Sequence, residues 1–190
     1  MDVYLKYCRN RKNKSWNMYK IDNIDVKIVD LLMQDGRMAC SEIARRIGGV
    51  TERAIRYRLD RLIENNIIFI TAVVNQKAVG FPIVADVLLE VEADSIREVA
   101  ERMQEYECVS YVAYSIGETD VSVQVIAKDA VEVYEFVTRV IGKTAGVRKT
   151  TTSIVPQVLK DVYQWRIPRS GCVKVSEENN LVKPFRGDEL

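Results

Sequence analysis

Histidine is missing from all 190 residues. Its absence removes the commonest general base and the usual Ser-His and Cys-His nucleophile pairs, although carboxylates can still do acid-base work. Cysteine is scarce and scattered: Cys8, Cys40, Cys108 and Cys172 lie far apart, with no Cys-x-x-Cys pair among them. Without histidine or paired cysteines a structural zinc site is not expected. No metal or cofactor is therefore expected, and an enzyme is not expected either. Long apolar runs are also lacking, since nothing approaches the roughly 18 residues of a membrane span. The opening MDVYLKYCRNRKNKSW has no apolar core of the secretory type. The expected location is cytoplasmic.

With 47% hydrophobic and 29% charged residues, the composition is that of an ordinary globular protein with room for one large domain or two small ones. The net charge of +1 conceals a segregation. Residues 1–20 hold six basic residues and one acidic, whereas residues 81–165 hold eight basic and fourteen acidic. Between them, Arg37, Arg45, Arg46, Arg53, Arg56, Arg58 and Arg61 outnumber Glu42, Glu52 and Asp60. A basic first module beside an acidic second one points to an anionic partner for the first alone.

After the basic extension the pattern is helical. Ile24, Ile28, Leu31 and Leu32 recur at i, i+4, i+7 and i+8, with Asp22 or Asn23 to cap the start and Asp35-Gly36 to stop it. CSEIARRIGG predicts a short second helix burying Ile43, Ala44 and Ile47, and Gly48-Gly49 supplies the turn before Thr51 caps a third. On that third helix Ile55, Leu59, Leu62 and Ile63 share one arc. Arg53, Tyr57, Asp60 and Arg61 lie opposite, with Arg56 and Arg58 on the flanks.

Helix, helix, glycine turn, basic helix is the helix-turn-helix order, in which the last helix lies in the DNA major groove and the one before it crosses the backbone. Behind the Thr51 cap, Arg53, Arg56 and Tyr57 are the candidate base readers, and Arg45, Arg46, Arg58 and Arg61 the candidate phosphate contacts. The plain alternative is a solvated basic face. The β-branched run Ile67 to Gln76 is expected to form the wing of a winged helix-turn-helix.

After Gly80 the period changes to two. Ile83, Ala85, Val87, Leu89 and Val91 alternate with polar neighbours, and the later strand and helix patterns give the order βαββαβ of a ferredoxin-like sandwich. The fold class is thus α+β, with a winged helix-turn-helix and linker at 21–80 and a ferredoxin-like domain at 81–165. A basic extension (1–20) and a polar tail (166–190) flank them.

IDNIDVKIVDLLMQDGRMACSEIARRIG, the capped TERAIRYRLDRLIENNII and the later YSIGETDVSVQV together resemble the Lrp/AsnC family of leucine-responsive and asparagine-related feast/famine transcription regulators. Order, spacing and the Gly-x-x-Asp between two strands make the resemblance specific. It implies a sequence-specific DNA-binding regulator, modulated by an amino acid or similar metabolite and assembled as a homodimer or a larger ring such as an octamer. It also implies that effector contacts lie on the loop from Ser115 to Asp120, where Ser115, Gly117, Glu118 and Asp120 are the candidates; Thr150 and Thr152 on the closing strand are weaker candidates by their own chemistry.

Chemically the loop suits that role. Gly117 allows close approach, exposed amides can take a carboxylate, and Glu118 or Asp120 can accept from an ammonium group. The other reading is a hairpin turn serving only its own geometry. The chain departs from the family pattern in a turn one residue longer at Gly48-Gly49-Val50, in Ala39 where a capping Ser or Thr is common, and in both terminal segments. Two other functions fit parts of the sequence: an effector-independent DNA-architectural protein, and a haem-pathway decarboxylase of similar architecture, the latter disfavoured by the missing histidine.

Overall fold

The computed structural model describes residues 19–168, which fall into two compact units. The basic extension before Tyr19 and the tail beyond Pro168 lie outside the described residues. Residues 19–72 with 161–168 form one unit, and residues 73–160 the other. Among the described residues no helix is long and apolar enough to cross a membrane.

The first unit is three helices: α1 (Asn23–Gln34), α2 (Cys40–Ile47) and α3 (Glu52–Glu64). Asp22 caps α1, accepting from the Ile24 and Asp25 amides at 2.9 and 3.0 Å, while Asp25 reaches back to the Asp22 amide at 3.2 Å. This capping box satisfies donors that the first turn leaves open. Ala39 gives α2 no side-chain cap, and Gly48 and Gly49 turn the chain at φ +72° and +68°. Open space surrounds both glycines, so the backbone angle alone selects them.

Thr51 caps α3 through the Ala54 amide at 3.2 Å. At the far end Asn66 adopts φ +56°, and the Ile67 and Asn66 amides return to the Leu62 and Ile63 carbonyls at 2.8 and 3.0 Å, a Schellman-type stop. Ile28, Ile43, Ile55 and Leu62 are fully buried where the helices meet. Ile63, expected in that arc, is 40% exposed, because it sits at the edge of the stripe in the last turn.

The expected wing does not form: residues 67–76 contain no strand. Ile67 and Ile68 pack against the helical core, while Ile70, Val73 and Val74 stay exposed. Strand propensity is a fit to a paired, half-buried surface, and among the described residues the strand ladders join only the four strands of the second unit. The segment 161–168 contributes to the helical unit instead, with Ile167 against its core and Arg166 3.4 Å from Asp30.

The second unit runs β1 (Ile83–Val91), α4 (Ile96–Met103), β2 (Val109–Tyr114), β3 (Val121–Ala127), α5 (Ala130–Arg139), a 3-10 turn (Ile141–Lys143) and β4 (Val147–Val155). The sheet is antiparallel with order β2-β3-β1-β4, the ferredoxin-like arrangement expected from the alternation. Ala85, Val87, Leu89 and Val91 of β1 and Val121, Val123, Val125 and Ala127 of β3 turn the same face to the core. Val99, Ala100, Met103, Val133 and Val137 of the two helices cover it. Asp129 caps α5 through the Glu132 amide at 2.8 Å.

Candidate DNA-binding face and effector loop

α3 presents its first turns to solvent, as the Thr51 cap and the buried Ile55–Leu62 stripe require. Arg53, Arg56 and Tyr57 are exposed, Tyr57 by 63%. Arg53 has no ion-pair partner among the described residues, and Arg56 meets only Glu52 one turn back, at 2.6 Å. On α2 the Glu42 carboxylate holds both Arg45 (2.7 Å) and Arg46 (2.7 Å). Those two guanidiniums depress the Glu42 carboxyl to about 2. Exposed pairs of this kind contribute little stability, so the arginines can exchange Glu42 for a phosphate at small cost.

Arg61 lies farther along α3, its guanidinium 4.9 Å from the Tyr19 ring centre and 5.8 Å from that of Tyr57. Its charge remains on the exposed face.

Arg58 behaves differently from its expected place at a phosphate. Its guanidinium turns inward and donates to Asp22 and Asp25, both at 2.8 Å. The Asp25 side chain is 2% exposed and that of Arg58 28%. The reason is a non-local partner: the α1 capping box places two carboxylates opposite the flank of α3, and a partly buried guanidinium needs them. Burial alone would raise the Asp22 carboxyl, yet the Asp25 amide and the Arg58 guanidinium hold it below its ordinary value. Arg58 ties the start of α1 to α3 and is withdrawn from the outward-facing set.

In the second unit, the loop between β2 and β3 closes on itself. The Ser115 amide donates to the Asp120 carbonyl at 2.8 Å and its hydroxyl to the Thr119 carbonyl at 2.8 Å. The Asp120 amide donates to the Leu89 carbonyl at 2.9 Å, and its carboxylate accepts from the Val91 amide at 2.8 Å. That acceptor sits where the β1–β4 register slips between Glu90 and Val91, so Asp120 serves a backbone donor at an irregularity of the sheet.

Ser115 and Asp120 thus have structural duties, while Ile116, Gly117 and Glu118 are exposed. Gly117 stands at φ +150° with nothing within 4 Å of a would-be Cβ. Thr150 pairs with Leu89, whose other neighbour Val121 adjoins the loop; Thr152 pairs with Val87, two residues farther away.

Arg148, unmarked in the sequence, reaches to 4.0 Å from the Asp120 carboxylate, and Lys149 bonds Glu90 at 2.8 Å. VRKTTTSIV reads only as a strand; the strand pairing is what brings its basic residues beside this loop. The loop region therefore offers exposed amides, carboxylates and a guanidinium together.

A three-helix DNA-binding unit followed by a ferredoxin-like unit with a polar, glycine-bearing loop defines a two-part regulator: one part to meet DNA, the other to meet a small ligand. Residues 21–63 match the AsnC-type helix-turn-helix domain and residues 84–165 the Lrp/AsnC ligand binding domain. An uncharacterized HTH-type transcriptional regulator of Pyrococcus furiosus is 38% identical over 144 residues, 75% of this chain and 97% of that protein. The HTH-type transcriptional regulator FL11 of the same organism is 36% identical over 145 residues, 76% and 95% of the two chains. Among solved structures, a transcriptional regulator of Neisseria meningitidis in complex with L-Met superposes with a TM-score of 0.72 at 22% identity, covering 79% of this chain and 97% of its own, a likeness of fold. The chain belongs to the Lrp/AsnC family of transcription regulators.

Proposed function

We infer that this regulator reads specific DNA sequences with the first turns of α3 and responds to an amino acid or closely similar metabolite at the β2–β3 loop. Arg53, Arg56 and Tyr57 face the base edges. Thr51 fixes the head of the helix, and Arg45, Arg46 and Arg61 meet phosphates. One observation carries this reading: three exposed side chains able to donate hydrogen bonds share the leading turns of a helix whose opposite side buries Ile55 and Leu62 completely. Bidentate arginine contacts of this kind discriminate between bases.

For the effector, Glu118 and Asp120 suit an ammonium group, while Arg148 and the amides around Gly117 suit a carboxylate. Ser115, Thr150 and Thr152 line the surroundings. An amino acid carries both charges on one carbon, and each needs a partner when water is removed. The working form is a homodimer or a larger ring such as an octamer. Ile70, Val73 and Val74, exposed apolar side chains, favour assembly with a second copy.

The experiment is genome-wide mapping of bound sites with the parent and with Arg53→Ala, joined to a thermal-shift screen of amino acids and sedimentation with any hit. Discrete sites lost in the variant, and a hit that changes the assembly, agree with the reading. Uniform coverage of the genome in both proteins would replace it with an effector-independent architectural role.

A further inference from the structure

Of the arginines on α3, Arg56 and Arg58 are held by carboxylates, but Arg61 is held by two rings. Its guanidinium lies 4.9 Å from the Tyr19 ring centre and 5.8 Å from that of Tyr57. Both fall within the roughly 6 Å over which a cation is attracted to an aromatic face. The Tyr57 contact follows from local geometry, because helical side chains lean back over the preceding turn and the two residues stand at i and i+4. The Tyr19 contact does not, since Tyr19 precedes α1 and meets α3 only through the fold.

The two rings differ in freedom. Tyr19 packs, partly buried, against the helical core, and burial, then the Asp25 charge, raise its hydroxyl above the ordinary value. Tyr57 is an exposed candidate base reader. Arg61 therefore links a fixed ring to a free one. A free ring is ordered only when it meets its matching base, so the ordering cost is subtracted from the preference for that base. A ring already held keeps the preference whole. Ordering one such side chain corresponds to about two- to ten-fold in affinity.

We propose that Tyr19 and Arg61 are positioning residues for base recognition: Tyr19 anchors the Arg61 guanidinium, and Arg61 holds the Tyr57 ring in the orientation that reads one base pair. The proposal rests on the DNA-binding reading of α3 and adds to it a residue outside the reading helix, Tyr19, that sets specificity. Arg61 keeps its phosphate contact, because a guanidinium stacks through its faces and donates through its edge. Lysine in its place would keep the charge for a phosphate, but it is a compact, strongly hydrated point charge with no plane to stack. That difference separates the two roles of Arg61.

The test uses the full chain and a site enriched from a random duplex pool, with each base pair varied singly in competition binding across a salt series. Binding is measured well below each variant's thermal melt, so that lost stability does not enter. Tyr57→Ala identifies the base pair that Tyr57 reads. At that base pair Tyr19→Leu, which keeps an apolar side chain against the core, and Arg61→Lys should each lower the preference about two- to ten-fold. The other base pairs and the salt slope should stay as in the parent, and Tyr19→Phe, which keeps the ring, should retain the preference. Added to Tyr57→Ala, Tyr19→Leu should give no further loss there, because the ring it positions is gone. A preference retained by Tyr19→Leu or Arg61→Lys, a loss shared by Tyr19→Phe, a loss spread evenly over all base pairs, or a further loss in the double variant overturns the positioning role and leaves the α3 reading intact. A Tyr57→Ala variant that relaxes no base pair overturns the positioning role together with the part of Tyr57 in that reading.

Discussion

Replacing Arg58 by alanine separates an internal role from a DNA-contacting one. The guanidinium holds Asp22 and Asp25 at 2.8 Å each, and the Asp25 side chain is 2% exposed, so Arg58→Ala strands a buried carboxylate. Removing one partner of a buried ion pair costs about 3–5 kcal/mol. Here the Asp22 side chain is 42% exposed and that of Arg58 28%, which screens part of the interaction. A loss of about 2–3 kcal/mol is therefore expected. With urea m-values of about 1–3 kcal/mol/M, the helical unit's midpoint falls by about 0.7–3 M in urea denaturation followed by circular dichroism. Protein concentration is held fixed, because assembly couples to stability. Asp25→Ala added to Arg58→Ala should recover part of the loss, since the stranded charge is then gone. DNA binding of the folded protein should keep its salt slope. A stability unchanged within about 0.5 kcal/mol, together with a salt slope lower by one, would refute the internal role and return Arg58 to a phosphate.

The same residue marks the limit of what the sequence discloses. Period and caps are local properties, so α1, α3 and the βαββαβ order are legible from Ile24–Leu32, Ile55–Leu62 and the alternation in β1, with Asp22, Thr51 and Asp129 each beginning a helix as its side chain demands. Helical periodicity places Arg58 on a flank between core and solvent; the choice is made by carboxylates 33 and 36 residues away, which no local pattern announces. Residues 67–76 failed as a wing for a related reason, because β-branched composition signals a strand but does not provide a partner. Arg148 joined the loop region through strand pairing, and Ile167 joined the first core, by contacts equally remote in sequence.

Three further outcomes are expected. Arg53→Ala, Arg56→Ala or Tyr57→Ala should relax discrimination at individual base pairs, with about 1–3 kcal/mol lost for a bidentate arginine contact, whereas Arg46→Ala should weaken all sequences alike; competition binding on single-base operator variants distinguishes the two. Gly117→Trp and Arg148→Ala should abolish the thermal shift given by an amino-acid hit, and Asp120→Ala should in addition destabilise the second unit by about 1–3 kcal/mol because the Val91 amide loses its acceptor. Unchanged ligand binding in all three variants would move the effector elsewhere. Since the Asp22 carboxyl is held below its ordinary value in the folded state, its stabilisation is complete above about pH 4 and is lost as the pH falls through the depressed value. Asp22→Asn should flatten that acid limb in a pH series of melts, and an unaltered limb would remove Asp22 from the account.

The account stands most directly on sequence discrimination by the first turns of α3. Repeated selection from a random duplex pool, followed by competition between the enriched site and its shuffled sequence at physiological salt, measures it. The expected result is a defined motif bound at least about 10³-fold more tightly than the shuffled control, a preference that Arg53→Ala and Arg56→Ala reduce. A pool that yields no motif, or a motif whose preference both variants retain in full, would contradict the claim that this helix reads DNA.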